Sequence, residues 1–186
     1  MKRIIDLMLS AFLLLILSPV LLIIMLAVKL DSDGPAIYWS NRVGLLGELF
    51  MMPKFRTMKT GTPPVATHLL INPGERLTGI GGFLRKYSFD ELPQLWSILK
   101  GDMSFVGPRP ALFNQYDLNS LRAQYGIDKL VPGLTGWAQV NGRDKLSIEE
   151  KVCYELHYLK TRSLFLDMKI VIKTILRALR SSGVSH

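Results

Sequence analysis

The sequence predicts an α+β protein, mainly helical, in which an apolar N-terminal helix precedes a short β-hairpin and a set of amphipathic helices. Three observations predict that class. Leu7 to Val28 runs 22 residues without a charged side chain. Helical spacing of apolar residues recurs over roughly 80–87, 91–100, 114–125 and 147–160. Only Ala36 to Ser40 and Leu49 to Met52 read as strands, on either side of a turn at Gly44–Gly47. The chain has 186 residues, of which 48% are hydrophobic and 20% charged, which excludes a disordered or fibrous protein. Its single cysteine, Cys153, excludes an intrachain disulfide and suits the cytoplasm; it reads as a small packed hydrophobe.

The first element decides the solvent. A straight helix over Leu7–Val28 reaches about 33 Å, enough for the core of a bilayer. A secretory signal fits poorly, because the run is too long and no small-x-small cleavage site follows. Ser18-Pro19 lies in its middle. Pro19 has no amide for the carbonyl of Leu15, and Ser18 is expected to bond back to the carbonyl of Leu14. Two forms stay open on these residues: a kinked helix that spans, or one that turns and leaves by the face it entered. Lys2, Arg3 and Lys29 make both ends basic.

Charge is distributed unevenly. Mean hydropathy is +0.23, yet the pI is about 9.7. Residues 1–33 carry three Lys/Arg and three Asp/Glu, so the whole formal charge of +8 lies in 34–186. That boundary divides a membrane segment, 1–33, from a second domain, 34–186. Asp31-Ser-Asp-Gly-Pro35 is the turn between them. Residues 60–77 read as a loop, and Pro132-Gly-Leu-Thr-Gly136 as a second turn-rich crossing. Over Leu164–Arg180, Lys169, Lys173, Arg177 and Arg180 form one basic stripe on a very apolar helix. Such a helix suits the headgroup layer of an anionic membrane, or a core helix with one solvated face.

The chemistry concentrates between Arg85 and Pro110. Asp90 and Glu91 are adjacent, so on a helix they point about 100° apart and do not form a dyad across a cleft. With Asp90 near an N-cap, Pro93 falls at N3 and Gly101 ends the helix. Both carboxylates would then sit at a helix N-terminus, a place that favours anions; a purely structural cap reads the same way. The neighbours favour chemistry. Arg85 precedes the pair, and Arg109 is stiffened between Pro108 and Pro110, which suits holding a guanidinium fork toward phosphate. Arg143 is a further candidate fork. Carboxylates beside these cations suggest a Mg²⁺-dependent site for a phosphorylated substrate, with a carboxylate able to serve as nucleophile.

These pieces resemble the bacterial sugar transferase family, in its small monotopic phosphoglycosyl transferase form. The resemblance is carried by Ser18-Pro19, Lys54-Phe-Arg-Thr-Met58, Leu84-Arg85, Ser88-Phe-Asp-Glu-Leu-Pro-Gln-Leu95, Leu99-Lys-Gly-Asp-Met-Ser104, Val106-Gly-Pro-Arg-Pro110, Pro132-Gly-Leu-Thr-Gly136, Ala138-Gln139, Asn141-Gly-Arg143, Ser163 and Leu166-Asp167, in order along nearly the whole chain. It implies transfer of a sugar-1-phosphate from a UDP-sugar to undecaprenyl phosphate with release of UMP. It implies that Asp90 is the nucleophile, Glu91 its dyad partner, and Mg²⁺ bound near Asp90. Arg85, Arg109 and Arg143 would contact phosphate or the nucleotide sugar. Ser18-Pro19 would break a re-entrant helix-break-helix hairpin, placing both ends on the cytoplasmic face of the bacterial inner membrane. Phe89, Trp96-Ser97 and Glu155 depart from the usual pattern, Glu155 standing where Asp is usual. The chain also lacks the extra N-terminal membrane domain of larger members, so it is expected to be a minimal catalytic unit. Val140-Asn-Gly-Arg-Asp144 and Gly183-Val-Ser-His186 lean toward an N-acetylated amino sugar as donor. The alternative is a non-catalytic, basic scaffold that binds anionic lipid at the membrane. Nucleic acid is not expected as a partner, since no basic–aromatic interleaving supports it.

Overall fold

The computed structural model describes residues 1–63, 65, 72–142 and 145–179, with Ala178 and Leu179 described by backbone alone. Helix α1, Lys2–Asp31, contains the apolar run. It is long and apolar enough to cross a membrane, and only 11% of its most apolar window is buried inside the protein. The expected two-helix hairpin takes the form of one helical run with Pro19 inside it. Ser18 corrects the expected bond: its hydroxyl donates to the carbonyl of Leu15, at 2.8 Å, rather than to that of Leu14. The physical reason is Pro19, whose missing amide leaves the Leu15 carbonyl without its helical partner.

The hairpin forms as expected and is longer. Strands β1 (Ile37–Val43) and β2 (Leu49–Phe55) pair antiparallel in the register Ile37↔Phe55 to Val43↔Leu49. Helices α2 (Gly81–Lys86), α4 (Tyr116–Gln124) and α5 (Ile148–Thr161) follow the expected pattern, and α3 (Gln94–Lys100) begins later than expected. Ser147 and Glu150 form a reciprocal capping box that starts α5. Helix α6 covers Leu164–Leu179. The turn-rich crossing conceals a short parallel pair, β3 (Ser104–Val106) with β4 (Gly133–Thr135). A Cβ on Gly107 or Gly133 would collide with the backbone of the other segment, so glycine permits that close approach.

Three apolar clusters hold the elements together. Ile24 and Val28 of α1 pack with Phe55 and Leu84. Leu13, Leu14 and Leu17 of α1 lie against Met52, Leu95, Ile98 and Met103. The third cluster joins Val106, Leu118, Val152, Tyr158 and Ile170 of β3, α4, α5 and α6. Helix α1 thus lies along the hairpin, α2 and α3 on one face. Its other face exposes Leu15, Ile16, Leu22, Ile23 and Leu26. Both of its ends are tied to the same body. Lys2 pairs with Asp167, Arg3 donates to the carbonyls of Ile98 and Leu99, and Asp6 accepts from the Phe105 amide. At the far end Asp31 accepts from the Ile80 amide at 3.1 Å.

Two expectations are corrected. Cys153 is exposed on α5 rather than packed, because the adjacent Val152 takes the side of the helix that meets the third cluster. On α6, Lys173 lies over the Trp137 ring at 4.8 Å and Arg177 donates to the carbonyl of Gln139, so both cations fold back on the protein. Lys169 of the expected stripe is exposed and Arg180 lies outside the described residues, while Phe165, Met168, Ile172 and Ile175 form an exposed apolar stripe on the same helix.

Candidate active site

The turn between α2 and α3 carries Asp90 and Glu91. The expected helix over 91–100 starts later. Phe89–Glu91 is a single 3-10 turn, and α3 begins at Gln94 with Pro93 as its N-cap. Asp90 is therefore not an N-cap and Pro93 is not at N3; Pro93, which lacks an amide, takes the cap instead. Gly101 does end the helix, in the left-handed conformation at φ 108°. Ser88, directly before the turn, also has a left-handed backbone at φ 58°. Such strain in a non-glycine residue persists only where the surroundings impose it.

Packing on both sides of the turn buries it. Asp90 is 8% exposed. The Glu91 side chain is 13% exposed and its Oε1 accepts from two cations, Arg109 Nη2 at 2.8 Å and Lys54 Nζ at 3.0 Å. Lys54 is on β2 and Arg109 follows β3, so three separate segments converge on one carboxylate. Arg85, on α2, donates Nε to the Thr57 hydroxyl at 2.9 Å. Its charge acts on both Asp90 and Glu91.

The two carboxyls are driven apart electrostatically. Burial pushes the Asp90 carboxyl above its usual 3.8; Glu91 beside it adds to this, and Lys54, Arg85 and Arg109 pull the other way. Burial also acts to raise Glu91, but Arg109 and Lys54, through charge and hydrogen bonds, hold it well below the usual carboxylate range. Burial lowers Lys54 and Arg85 from their usual values. Burial and the neighbouring Arg109 bring Arg42 down to about 10, which leaves it charged at neutral pH. The arrangement is one firmly ionised carboxylate neutralised by two cations, next to one buried carboxyl of raised basicity. A basic carboxylate in a field of fixed cations can attack an electrophilic phosphorus whose charge those cations stabilise.

The structure brings together Asp90, Glu91, Arg85 and Arg109, with Pro108 and Pro110 framing Arg109. The Arg109 guanidinium is directed at Glu91. Ser18 and Pro19 lie within α1, outside this cluster. Arg143 and Asp144 fall outside the described residues, as does the tail Gly183–His186. Lys54 was not among the expected site residues, although it opens the Lys54-Phe-Arg-Thr-Met58 motif and is a lysine in a largely apolar strand. Nor was the Arg122–Glu155 pair, which lies 33 residues apart in sequence. Among the described residues no group of three or more His, Cys, Asp or Glu could hold a metal.

The family described as bacterial sugar transferase matches residues 1–181. The chain is 42% identical to an uncharacterized sugar transferase, EpsL, of Bacillus subtilis, over all of this chain and 91% of that protein. It is 40% identical to the UDP-glucose:undecaprenyl-phosphate glucose-1-phosphate transferase of Escherichia coli, over 95% of this chain and 40% of that protein. It is 37% identical to the undecaprenyl-phosphate galactose phosphotransferase of Salmonella typhimurium, over 98% of this chain and 41% of that protein. The chain spans less than half the length of the last two. A match over residues 1–181 makes the chain a member of the bacterial sugar transferase family.

Proposed function

We propose that the protein transfers a sugar-1-phosphate from a UDP-sugar to undecaprenyl phosphate in two steps at Asp90. A carboxylate oxygen of Asp90 attacks the sugar-bearing phosphorus, the bond to the UMP oxygen breaks, and UMP leaves. The phosphate oxygen of undecaprenyl phosphate then attacks the same phosphorus and frees Asp90, giving the lipid-linked diphosphate sugar. The observation that carries this reading is the buried Asp90 beside a Glu91 already neutralised by Lys54 and Arg109. Glu91 holds those two cations at a fixed place, where they offset charge on the phosphoryl oxygens. Arg85 adds a third cation on the α2 side.

Mg²⁺ fits this donor set only in part. Glu91 is occupied by cations, which leaves Asp90 as the carboxylate that would hold the ion together with diphosphate oxygens. One or two carboxylates plus phosphate is an ordinary Mg²⁺ environment, and there the ion would neutralise the departing UMP.

Helix α1 enters one leaflet and returns, with both termini on the cytoplasmic side. Support comes from its two ends, both bonded to the same body, and from an outer face of Leu, Ile and Phe side chains. The apolar stripe of α6 lies at the same membrane surface, and the basic charge of residues 34–186 draws both substrates to the anionic leaflet. The donor is an N-acetylated amino sugar, a reading supported by Val140-Asn-Gly-Arg-Asp144. Relatives named for glucose and for galactose match at 40% and 37%, so overall identity does not select the sugar. UMP release across a panel of UDP-sugars, with Mg²⁺ and undecaprenyl phosphate, tests the proposal. The greatest rate is expected with UDP-N-acetylated amino sugars. Preference for UDP-glucose would overturn the donor, and no release with any donor would overturn the function in favour of a non-catalytic scaffold.

A further inference from the structure

Arg109 is held in place from behind. Its two proline neighbours have no amide to donate, so their carbonyls are their backbone handles. The Gly133 amide donates to the Pro108 carbonyl at 2.8 Å, and Arg42 Nη1 donates to the Pro110 carbonyl at 3.2 Å. Between them, Arg122 Nη2 donates to the carbonyl of Arg109 itself at 3.0 Å. Arg122 comes from α4 and is buried. Its Nε and Nη2 donate to the two carboxylate oxygens of Glu155 on α5, at 2.8 and 2.5 Å. Glu155 is 2% exposed. A continuous line of contacts therefore runs from Glu155 through Arg122 to the Arg109 backbone, and from the Arg109 side chain to Glu91.

We propose that Arg122 and Glu155 are positioning residues of the active site, which set where the Arg109 guanidinium meets Glu91. The inference rests on the reading of the Asp90–Glu91 turn as the reacting centre. Stability alone is a poor reason for the pair, since a buried ion pair gains little over well-packed apolar residues of the same volume. The geometry gives a better one. Only a guanidinium offers two nitrogens in a rigid plane to grip a carboxylate while one of them also bonds a carbonyl. Glu155 holds that plane at the angle at which Nη2 reaches Arg109.

The test is a double-mutant cycle on the full chain in lipid nanodiscs, read as kcat/KM for UMP release. Arg122→Lys keeps the charge opposite Glu155 but ends about one bond short of the Arg109 carbonyl. We expect a loss of about tenfold, the scale of a small misplacement of a catalytic group, with the thermal midpoint nearly unchanged. In an Arg109→Lys background the same substitution is expected to cost almost nothing further, because it acts through Arg109. A wild-type kcat/KM in Arg122→Lys, or an undiminished loss in the Arg109→Lys background, would overturn the proposal. Should Arg122→Lys not fold, Glu155→Gln, which keeps the side-chain shape but replaces one of the two oxygens that grip Arg122, carries the same cycle. Arg109→Lys alone reports on the underlying reading: full activity there would remove Arg109 from the reacting centre. A loss there beside full activity in Arg122→Lys would overturn the positioning role alone.

Discussion

Replacing Lys54 by Met removes one of the two cations on Glu91 and leaves the alkyl volume in β2. Unit charges 3.0 Å apart, at an effective dielectric of about 20, attract by about 5–6 kcal/mol. Most of that is offset by the burial of the ammonium, which also lowers its pKa. Arg109 still holds Glu91 at 2.8 Å. The expected net cost in stability is therefore about 1–3 kcal/mol. The cost in activity is larger. Lys54 is the strongest of the charges that favour the ionised form of Asp90. In the proposed reaction it also offsets charge on the phosphoryl group, and loss of one such fixed donor costs about 10²–10³-fold. UMP release at saturating donor and neutral pH measures it. Lys54→Arg is expected to retain more activity than Lys54→Met, and the acid limb of kcat/KM in Lys54→Met is expected to move to higher pH. Turnover of Lys54→Met within threefold of wild type would refute the electrostatic role given to Lys54.

Other outcomes follow from the same geometry. Asp90→Asn is expected to lower turnover by roughly 10⁴-fold or more, as loss of a nucleophile does. It should also raise the thermal midpoint at pH 7, because the folded-state pKa of Asp90 is raised and ionising it costs stability. That gain should vanish below pH 3.8, where the carboxyl is protonated in both states; scanning calorimetry against pH reads it. Glu91 works in the opposite sense: its folded pKa is depressed, so its contribution is present above its ordinary 4.5 and is lost as pH falls below that value. Glu91→Gln should abolish most activity and flatten the fall in thermal midpoint as the pH drops below 4.5. A cysteine placed before Lys2 should be labelled from the cytoplasmic side of intact cells; labelling from the periplasm alone would replace the re-entrant helix by a spanning one.

What the sequence revealed depended on the range of the interaction. The hairpin, the helix over roughly 147–160 and the Gly101 stop were legible because neighbouring residues decide them. The parallel pair β3–β4 was not, since only three residues of each strand take part and their partner lies about thirty residues away. Asp90, Glu91, Arg85 and Arg109 were legible as a dense run of charge and proline. The start of α3 was misjudged because Asp90 resembles a cap, whereas tertiary burial of the carboxylate and the left-handed Ser88 force a separate 3-10 turn. Lys54 and Glu155 meet their partners only through folding, so the motifs that contain them did not say what they bind.

Mass spectrometry of the intact protein decides whether Asp90 carries the sugar phosphate covalently. The protein is mixed with the preferred UDP-sugar and Mg²⁺, without undecaprenyl phosphate, and quenched in acid. The account predicts an added mass of one sugar phosphate, mapped to the peptide that contains Asp90, formed with one equivalent of UMP and absent in Asp90→Asn. UMP that appears only after undecaprenyl phosphate is added, with no adduct on the protein at any time, would contradict it.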